Sequence, residues 1–319
     1  MAEDAKHAEH AENSAHGEHR ENPLDPKEIF SHVEDAPHIH VPKMLTKEES
    51  HGHIQIPQPF MLDKPLRLRT GNALIDRTIQ PLDFKITKFM LIELVAAILI
   101  CVFFIGLAKA IKGGALPRGR FRNMLEAMLL YFRDNVARPC IGHHDADRFV
   151  PFLWTIFFFV LALNLFGMIP WMGSPTGSLA VTSSLALITF LTVIGSGMQK
   201  LGPVGFWKAQ VPHMDLSPGL KIILVPLIFV IEIMGLLIKH GVLAVRLLAN
   251  MMAGHVVLAV ILAFIAAGAQ SILISLVVTP TSVLGATALS LLELFVAFLQ
   301  AYIFTFLSAL FIGMAVHPH

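Results

Sequence analysis

Five long apolar blocks exclude a water-soluble fold for this 319-residue chain. Hydrophobic residues make up 55% of the sequence and charged residues only 15%. A helix needs about 20 apolar residues to cross a hydrocarbon core, and each block reaches that length. The blocks are Phe89–Ile111, Pro151–Trp171, Leu179–Met198, Gly219–Ala267 and Ser271–Val316. The sequence therefore predicts an all-α integral membrane protein of about five to six helices.

The last two blocks are more than twice as long as the other three. At about 1.5 Å per residue, a straight helix over either block would approach ~70 Å, which no perpendicular span requires. Each block is therefore either two spans with a hidden break, at His240-Gly241 or at Pro280, or one long helix that lies steeply tilted in the membrane.

Basic side chains between the first two blocks indicate the orientation. They are Lys109, Lys112, Arg118, Arg120, Arg122, Arg133, Arg138 and Arg148. By the positive-inside rule this segment faces the cytoplasm, so we expect the N-terminus outside. The opening MAEDAKHAEH is acidic, which argues against an Arg-rich organellar transit peptide. We expect the chain in a bacterial plasma (inner) membrane.

Residues 1–85 form a polar, histidine-rich extension, which we expect to lie outside the membrane and to be mostly disordered or only locally helical. Histidine pairs such as His7/His10 and His16/His19 could supply imidazole ligands to a metal ion. With no cysteine nearby and no fixed scaffold, a solvated and weakly buffering tail is the favoured interpretation. We expect no metal site and no cofactor.

Arg246 lies in the fourth apolar block, where an arginine at the bilayer centre costs roughly 2.5 to 3.5 kcal/mol. Glu232, Lys239 and Arg246 are each seven residues apart and Asn250 follows four residues later, so on one helix they form a single stripe. Small side chains flank this stripe and would let another helix pass close to the charge. The pattern suits a moving partner.

Glu293 and Gln300 share one face of the last block, since they too are seven residues apart. If the last two blocks form an antiparallel hairpin that turns near Gly268–Ser271, Gln300 lies beside Arg246 and Glu293 lies beside His255. A histidine next to a carboxylate in a membrane is typical of a proton relay. The alternative is a buried hydrogen-bonded pair with no transport role.

Four segments together are typical of one known family. They are AVRLLANMMAGH at 244–255, LELFVAFLQAYIFTFLSALF at 292–311, NLFGMIP at 164–170 and SPTGSLAVTSSLAL at 174–187. The first resembles the arginine segment, the second the final helix, and the last two the middle hairpin of subunit a of F-type ATP synthases. The resemblance implies a membrane domain over 86–316, in which a long tilted hairpin over 219–316 faces a ring of c subunits, with the C-terminus in the cytoplasm.

In this family, two unconnected half-channels load and unload protons on carboxylates of the c-ring. The resemblance makes Arg246 the charge that faces the ring carboxylate, and Gln300 the residue that positions its guanidinium. A permanent positive charge favours the ionised carboxylate, so an arriving site releases its proton. The same charge blocks a direct leak between the half-channels.

The resemblance also assigns the channel walls. Asn250, His255 and Glu293 would line the outer half-channel, Glu232 would line the inner one, and Asn164 would help shape the outer vestibule. Many bacterial members carry an acid in place of His255 and a histidine in place of Glu293. The exchange keeps both groups at one level of the hairpin, so the chemistry survives.

The implied partners are the c-subunit ring, the b-subunit peripheral stalk, the remainder of the F1Fo complex and the lipid bilayer. Nothing resembles a nucleotide loop, a catalytic triad or a nucleic-acid site, so we expect a non-catalytic subunit. A proton-coupled secondary transporter is the alternative, although transporters usually show internal repeats and broken helices. A purely structural scaffold would not need a costly arginine beside a histidine–glutamate pair.

Overall fold

The computed structural model describes residues 38–40, 53–55, 86–111, 120–169, 172–211, 218–268 and 272–318. Strands β1 (His38–His40) and β2 (His53–Gln55) pair antiparallel, with Ile39 opposite Ile54. The sequence predicted disorder or local helix for this extension, whereas β-branched isoleucines favour pairing at these six positions. The histidines predicted as weak metal ligands, His7, His10, His16 and His19, lie outside the described residues.

Helices make up the rest of the described chain. They are α1 (Lys88–Ile111), α2 (Arg120–Tyr131), α3 (Arg138–Ile141), α4 (Ala146–Gly167), α5 (Leu179–Leu201), α6 (Pro203–Ala209), α7 (Pro218–Gly268) and α8 (Ile272–Val316). A π-helical segment, Phe132–Ala137, joins α2 to α3, and a 3-10 turn, Pro175–Gly177, precedes α5. Within the described ranges, five helices are long and apolar enough to cross a membrane: α1, α4, α5, α7 and α8. The predicted all-α membrane fold is confirmed.

The C-terminal hairpin consists of two continuous helices of 51 and 45 residues. Their lengths correspond to roughly 77 Å and 68 Å, so the alternative of one long helix per block is the one that forms. Neither His240-Gly241 nor Pro280 breaks its helix. Next to Pro280, the Thr281 hydroxyl donates to the Val277 carbonyl over 2.8 Å. The turn predicted near 268–271 lies mostly outside the described residues.

The described part of the basic segment between the first two blocks, residues 120–148, is largely helical. Its apolar side chains Leu125, Phe132 and Val136 are buried, and the Phe132 ring centroid lies 4.4 Å from that of Phe157 on α4. This packing stabilises helical structure that hydropathy alone does not reveal. The segment lines the end of the molecule at which α4 begins and α8 ends.

Charged residues tie three chain segments together at this same end. The Asp145 carboxylate, just before α4, accepts hydrogen bonds from Lys200 at the end of α5, the shorter over 2.8 Å. His317 Nε2, just after α8, lies 3.3 Å from the same carboxylate. The Lys200 ammonium lowers the pKa of the Asp145 carboxyl. These contacts hold the start of α4 close to the ends of α5 and α8.

Candidate functional site

Arg246 lies on an exposed face of α7, near the middle of the helix. On the opposite face, Ala244 and Met251 are buried, and this packing fixes the rotation of α7 about its axis. Among the described residues, the guanidinium has no hydrogen-bond or ion-pair partner. An arginine left without an anion in a membrane helix is costly, so Arg246 needs a partner beyond the described residues.

Small side chains surround this charge, as the sequence predicted. Ala249 and Ala253 are exposed one and two turns beyond Arg246, and Asn250 is half-buried beside them. A surface of this kind lets a second helix approach closely. The exposed face of α7 therefore combines one fixed cation with room for an adjoining helix.

His255 and Glu293 face each other across the hairpin, with His255 Nδ1 3.7 Å from Glu293 Oε1. The side chains are 16% and 8% exposed. The register predicted for this pair is confirmed. His255 Nε2 and Glu293 Oε1 are both buried without a hydrogen-bond partner in the described part of the chain, so each retains an atom that can take up a proton.

Gly254 leaves room for the Glu293 side chain. A Cβ atom at position 254 would lie 2.6 Å from Glu293 Oε1, which is closer than real Cβ contacts come. The absence of a side chain at this position therefore allows the carboxylate to lie against α7 at the level of His255. The glycine of the arginine segment thus has a steric role that spacing alone does not indicate.

Gln300 is 4% exposed, and no hydrogen bond joins it to Arg246. Its Nε2 is buried without a hydrogen-bond partner among the described residues. The predicted contact does not form, because the Gln300 side chain is buried whereas Arg246 lies on an exposed face. Its predicted role in positioning the guanidinium stays a prediction.

Asn164 joins α4 to α8. It is fully buried, and its Nδ2 donates to the Ala297 carbonyl over 3.3 Å. Ala297 precedes Gln300 by three residues, so Asn164 fixes α4 close to the level of the predicted arginine site. Within this chain Asn164 does not line an open surface, and its role at a vestibule stays a prediction.

Glu232 is half-buried on α7, and Lys239 is exposed. No ion pair joins these two residues in the described part of the chain. The long side chain of Lys239 can extend towards the membrane surface. Glu232 remains the only acid of the stripe on α7, and its role in an inner half-channel is untested.

His240 is a buried residue that the sequence treated only as a possible helix break. It is 2% exposed, and its ring lies between those of Phe190 and Phe311, with centroid distances of 5.2 Å and 5.0 Å. Its Nδ1 is hydrogen-bonded to the Leu236 carbonyl over 2.9 Å. The ring therefore packs between α5, α7 and α8, six residues before Arg246 along α7. A histidine between apolar helix positions is the sequence signal that could have identified it.

Metal ligands do not gather in the part of the chain that the structure describes: no group of three or more His, Cys, Asp or Glu side chains is placed to hold an ion there. The chemistry of the described site therefore rests on a fixed cation, a histidine–carboxylate pair and buried amides. Such a set can hold and pass protons.

Comparison with known proteins places this arrangement in a family. The family model described as ATP synthase A chain matches residues 90–313, a range that contains every membrane residue discussed above. The ATP synthase subunit a of Myxococcus xanthus is 42% identical over 241 residues, which cover 75% of this chain and 76% of the relative. The ATP synthase subunit a of Chloroherpeton thalassium is 39% identical over 239 residues, covering 73% of this chain and 67% of the relative. The chain therefore belongs to the subunit a family of ATP synthases, as an integral membrane component of that complex.

Proposed function

We propose that this chain is the proton-channel subunit in the stator of its ATP synthase, and that Arg246 separates two offset half-channels. The proposal rests above all on one observation, the exposed guanidinium of Arg246 without a partner among the described residues. An arginine keeps its charge at any physiological pH, so an anion from beyond the described residues would relieve its cost in the membrane. A carboxylate on a helix of the c-ring would meet this need.

The ring helix would pass along the small-residue face of α7. When its carboxylate reaches Arg246, the positive charge stabilises the ionised form and the proton is released. After the carboxylate moves away from the guanidinium, it can be protonated again. Because the charge is permanent, protons cannot pass directly along this face from one half-channel to the other.

Positions along α7 support two offset paths. His255 follows Arg246 by nine residues, or roughly 13 Å, whereas Glu232 precedes it by fourteen, or roughly 21 Å. We infer that His255 and Glu293 exchange protons in the outer half-channel, where Asn250 contributes an amide. Glu232 would serve the inner half-channel.

Two buried amides would support the arginine. Asn164 holds α4 against the α8 segment that carries Gln300. The amide oxygen of Gln300 would accept a hydrogen bond from the guanidinium once a ring helix covers the exposed face. Both would then act as positioning residues.

The remaining assignments are also proposals. The chain would bind the c-ring through the hairpin of residues 219–316 and the b-subunit peripheral stalk through other surfaces, and would itself catalyse no bond chemistry. Residues 1–85 would form an extension outside a bacterial inner membrane, residues 86–316 the membrane domain, and the C-terminus would be cytoplasmic. The secondary-transporter alternative is not favoured, since the membrane helices run unbroken and the chain belongs to the subunit a family.

ATP-driven acidification of inverted membrane vesicles tests the proposal. For Arg246→Ala we expect pumping to fall at least about a hundredfold, the loss typical of removing one preorganised charge from a reaction path. Blotting of the purified complex checks assembly. Arg133→Ala, which removes an arginine outside the membrane-spanning helices, is the matched control and should pump normally. Near-normal pumping by an assembled Arg246→Ala complex would contradict the proposal.

A further inference from the structure

A groove of about 460 Å³ runs along α5 beside the first turn of α4, away from the proposed proton path. Along α5 it is lined by apolar Ile188 and Leu191 and by small Gly195, together with the hydroxyl side chains of Thr192 and Ser196. Arg148, Phe149 and Gln199 lie at the end where α4 begins and α5 ends. Ile188 and Leu191 are exposed on α5, a helix long and apolar enough to cross the membrane, so the groove is open to the surrounding lipid.

The cation at the head of this groove is held in place but not neutralised. Arg148 Nη2 donates to Gln199 Oε1 over 2.7 Å, and an amide contributes no negative charge. The nearby carboxylates are engaged elsewhere: Asp145 binds Lys200, and Asp147 lies 3.4 Å from Arg138. In the described part of the chain, Arg148 therefore has no carboxylate partner and presents an exposed guanidinium.

The length of the groove matches one leaflet of a bilayer. Along α5, its lining extends from Gln199 to Ile188, eleven residues or about 16 Å. That distance is about half of a ~30 Å hydrocarbon core. A molecule that fills the groove would therefore place an anion at the membrane surface and a hydrocarbon chain down to the midplane.

We propose that this groove binds an anionic phospholipid, with the phosphate on Arg148 and one acyl chain along α5. Guanidinium and phosphate form parallel charge-assisted hydrogen bonds, and Gln199 fixes the guanidinium in position to make them. A single lipid supplies both the anion and the chain, whereas a helix of another subunit would need a matching acid at the membrane surface. The proposal requires only that the chain spans the membrane, so it stands or fails independently of the proton path.

Photo-crosslinking of the assembled ATP synthase tests the proposal. The complex is reconstituted in phosphatidylcholine vesicles that contain phosphatidylglycerol with a photoactivatable acyl chain, and labelled peptides of α5 are mapped by mass spectrometry. We expect labelling within residues 188–199. The same photoactivatable chain on phosphatidylcholine should label this segment several-fold less, because it carries no net negative charge.

Variants test the headgroup site and the acyl-chain groove separately. Arg148→Gln should reduce labelling several-fold, whereas Arg148→Lys, which keeps the charge but not the paired donors, should reduce it less. Gly195→Leu should also reduce labelling, because a side chain at 195 meets nothing within 4 Å and would extend into the groove. Gly106→Leu on α1 adds the same side chain at another open position and should leave labelling unchanged.

Three results would overturn the proposal. Equal labelling by both lipids, or labelling that Arg148→Gln leaves intact, would show that no headgroup is recognised. No labelling of residues 188–199 in the assembled complex, together with crosslinks from this segment to another subunit, would show that a partner helix fills the groove.

Discussion

At the scale of single residues, the geometry of the histidine–glutamate pair depends on the residue beside it. Gly254 is next to His255 in the chain, and any Cβ at this position would collide with Glu293 Oε1. We predict that Gly254→Ala displaces the carboxylate and lowers ATP-driven proton pumping at least about tenfold, since a displacement of ~1 Å at a reacting group can cost a hundredfold.

The matched control is another glycine of α7. A Cβ at Gly241 meets nothing within 4 Å, so Gly241→Ala adds the same methyl group without displacing a neighbour. Vesicle acidification by the two variants is compared at equal amounts of assembled complex. Equal pumping would show that the position of Glu293 does not limit proton transfer.

At the scale of helices, the contact between α8 and α3 is a backbone contact. A Cβ on Gly313 would overlap the Cys140 carbonyl oxygen, which belongs to a main chain that cannot rotate away. We predict that Gly313→Ala destabilises the protein by about 1 to 3 kcal/mol, the usual cost of overpacking, and lowers the Tm of the purified complex.

Gly285→Ala in the same helix should behave in the opposite way. Its Cβ meets nothing within 4 Å, and alanine is favoured over glycine in a helix by about 1 kcal/mol. The Tm of this variant should equal or exceed that of the wild type. An equal loss of Tm in both variants would mean that α8 tolerates no methyl group in general, and that the contact with α3 is not the cause.

At the scale of the whole molecule, the orientation in the membrane is open to a direct test. In a chain with Cys101→Ser and Cys140→Ser, we predict that Lys208→Cys on α6 reacts with an impermeant maleimide only in inverted vesicles. Asn13→Cys in the N-terminal extension should react only in right-side-out vesicles, because the positive-inside rule places these segments on opposite sides. The reverse pattern would contradict the proposed topology.

Replacing both native cysteines removes background labelling in this experiment. Cys101 is exposed on α1, and Cys140 is partly buried in α3. Burial raises the pKa of the Cys140 thiol, so less of it is present as the reactive thiolate. A cysteine at 140 would therefore report its own burial rather than the side of the membrane.

The sequence alone determined the membrane fold and the level of the histidine–glutamate pair. Apolar blocks must become helices in lipid, where every backbone polar group needs an internal partner. Helical periodicity and an antiparallel turn then fix which residues share a level, and His255 and Glu293 lie together as that argument requires. These inferences rest on constraints that act locally along the chain.

Only the tertiary structure decided which side chains meet and which blocks stay unbroken. Hydropathy could not tell one long helix from two, predict the helical segment around Phe132, or place His240 between two aromatic rings. The position of a residue along a hairpin also does not fix the direction in which its side chain points. Gln300 is buried and Arg246 is exposed, although the sequence predicted that they lie at the same level. The reason is physical: partners are chosen by how separate helices rotate and pack against one another, and no local pattern in the chain encodes that choice.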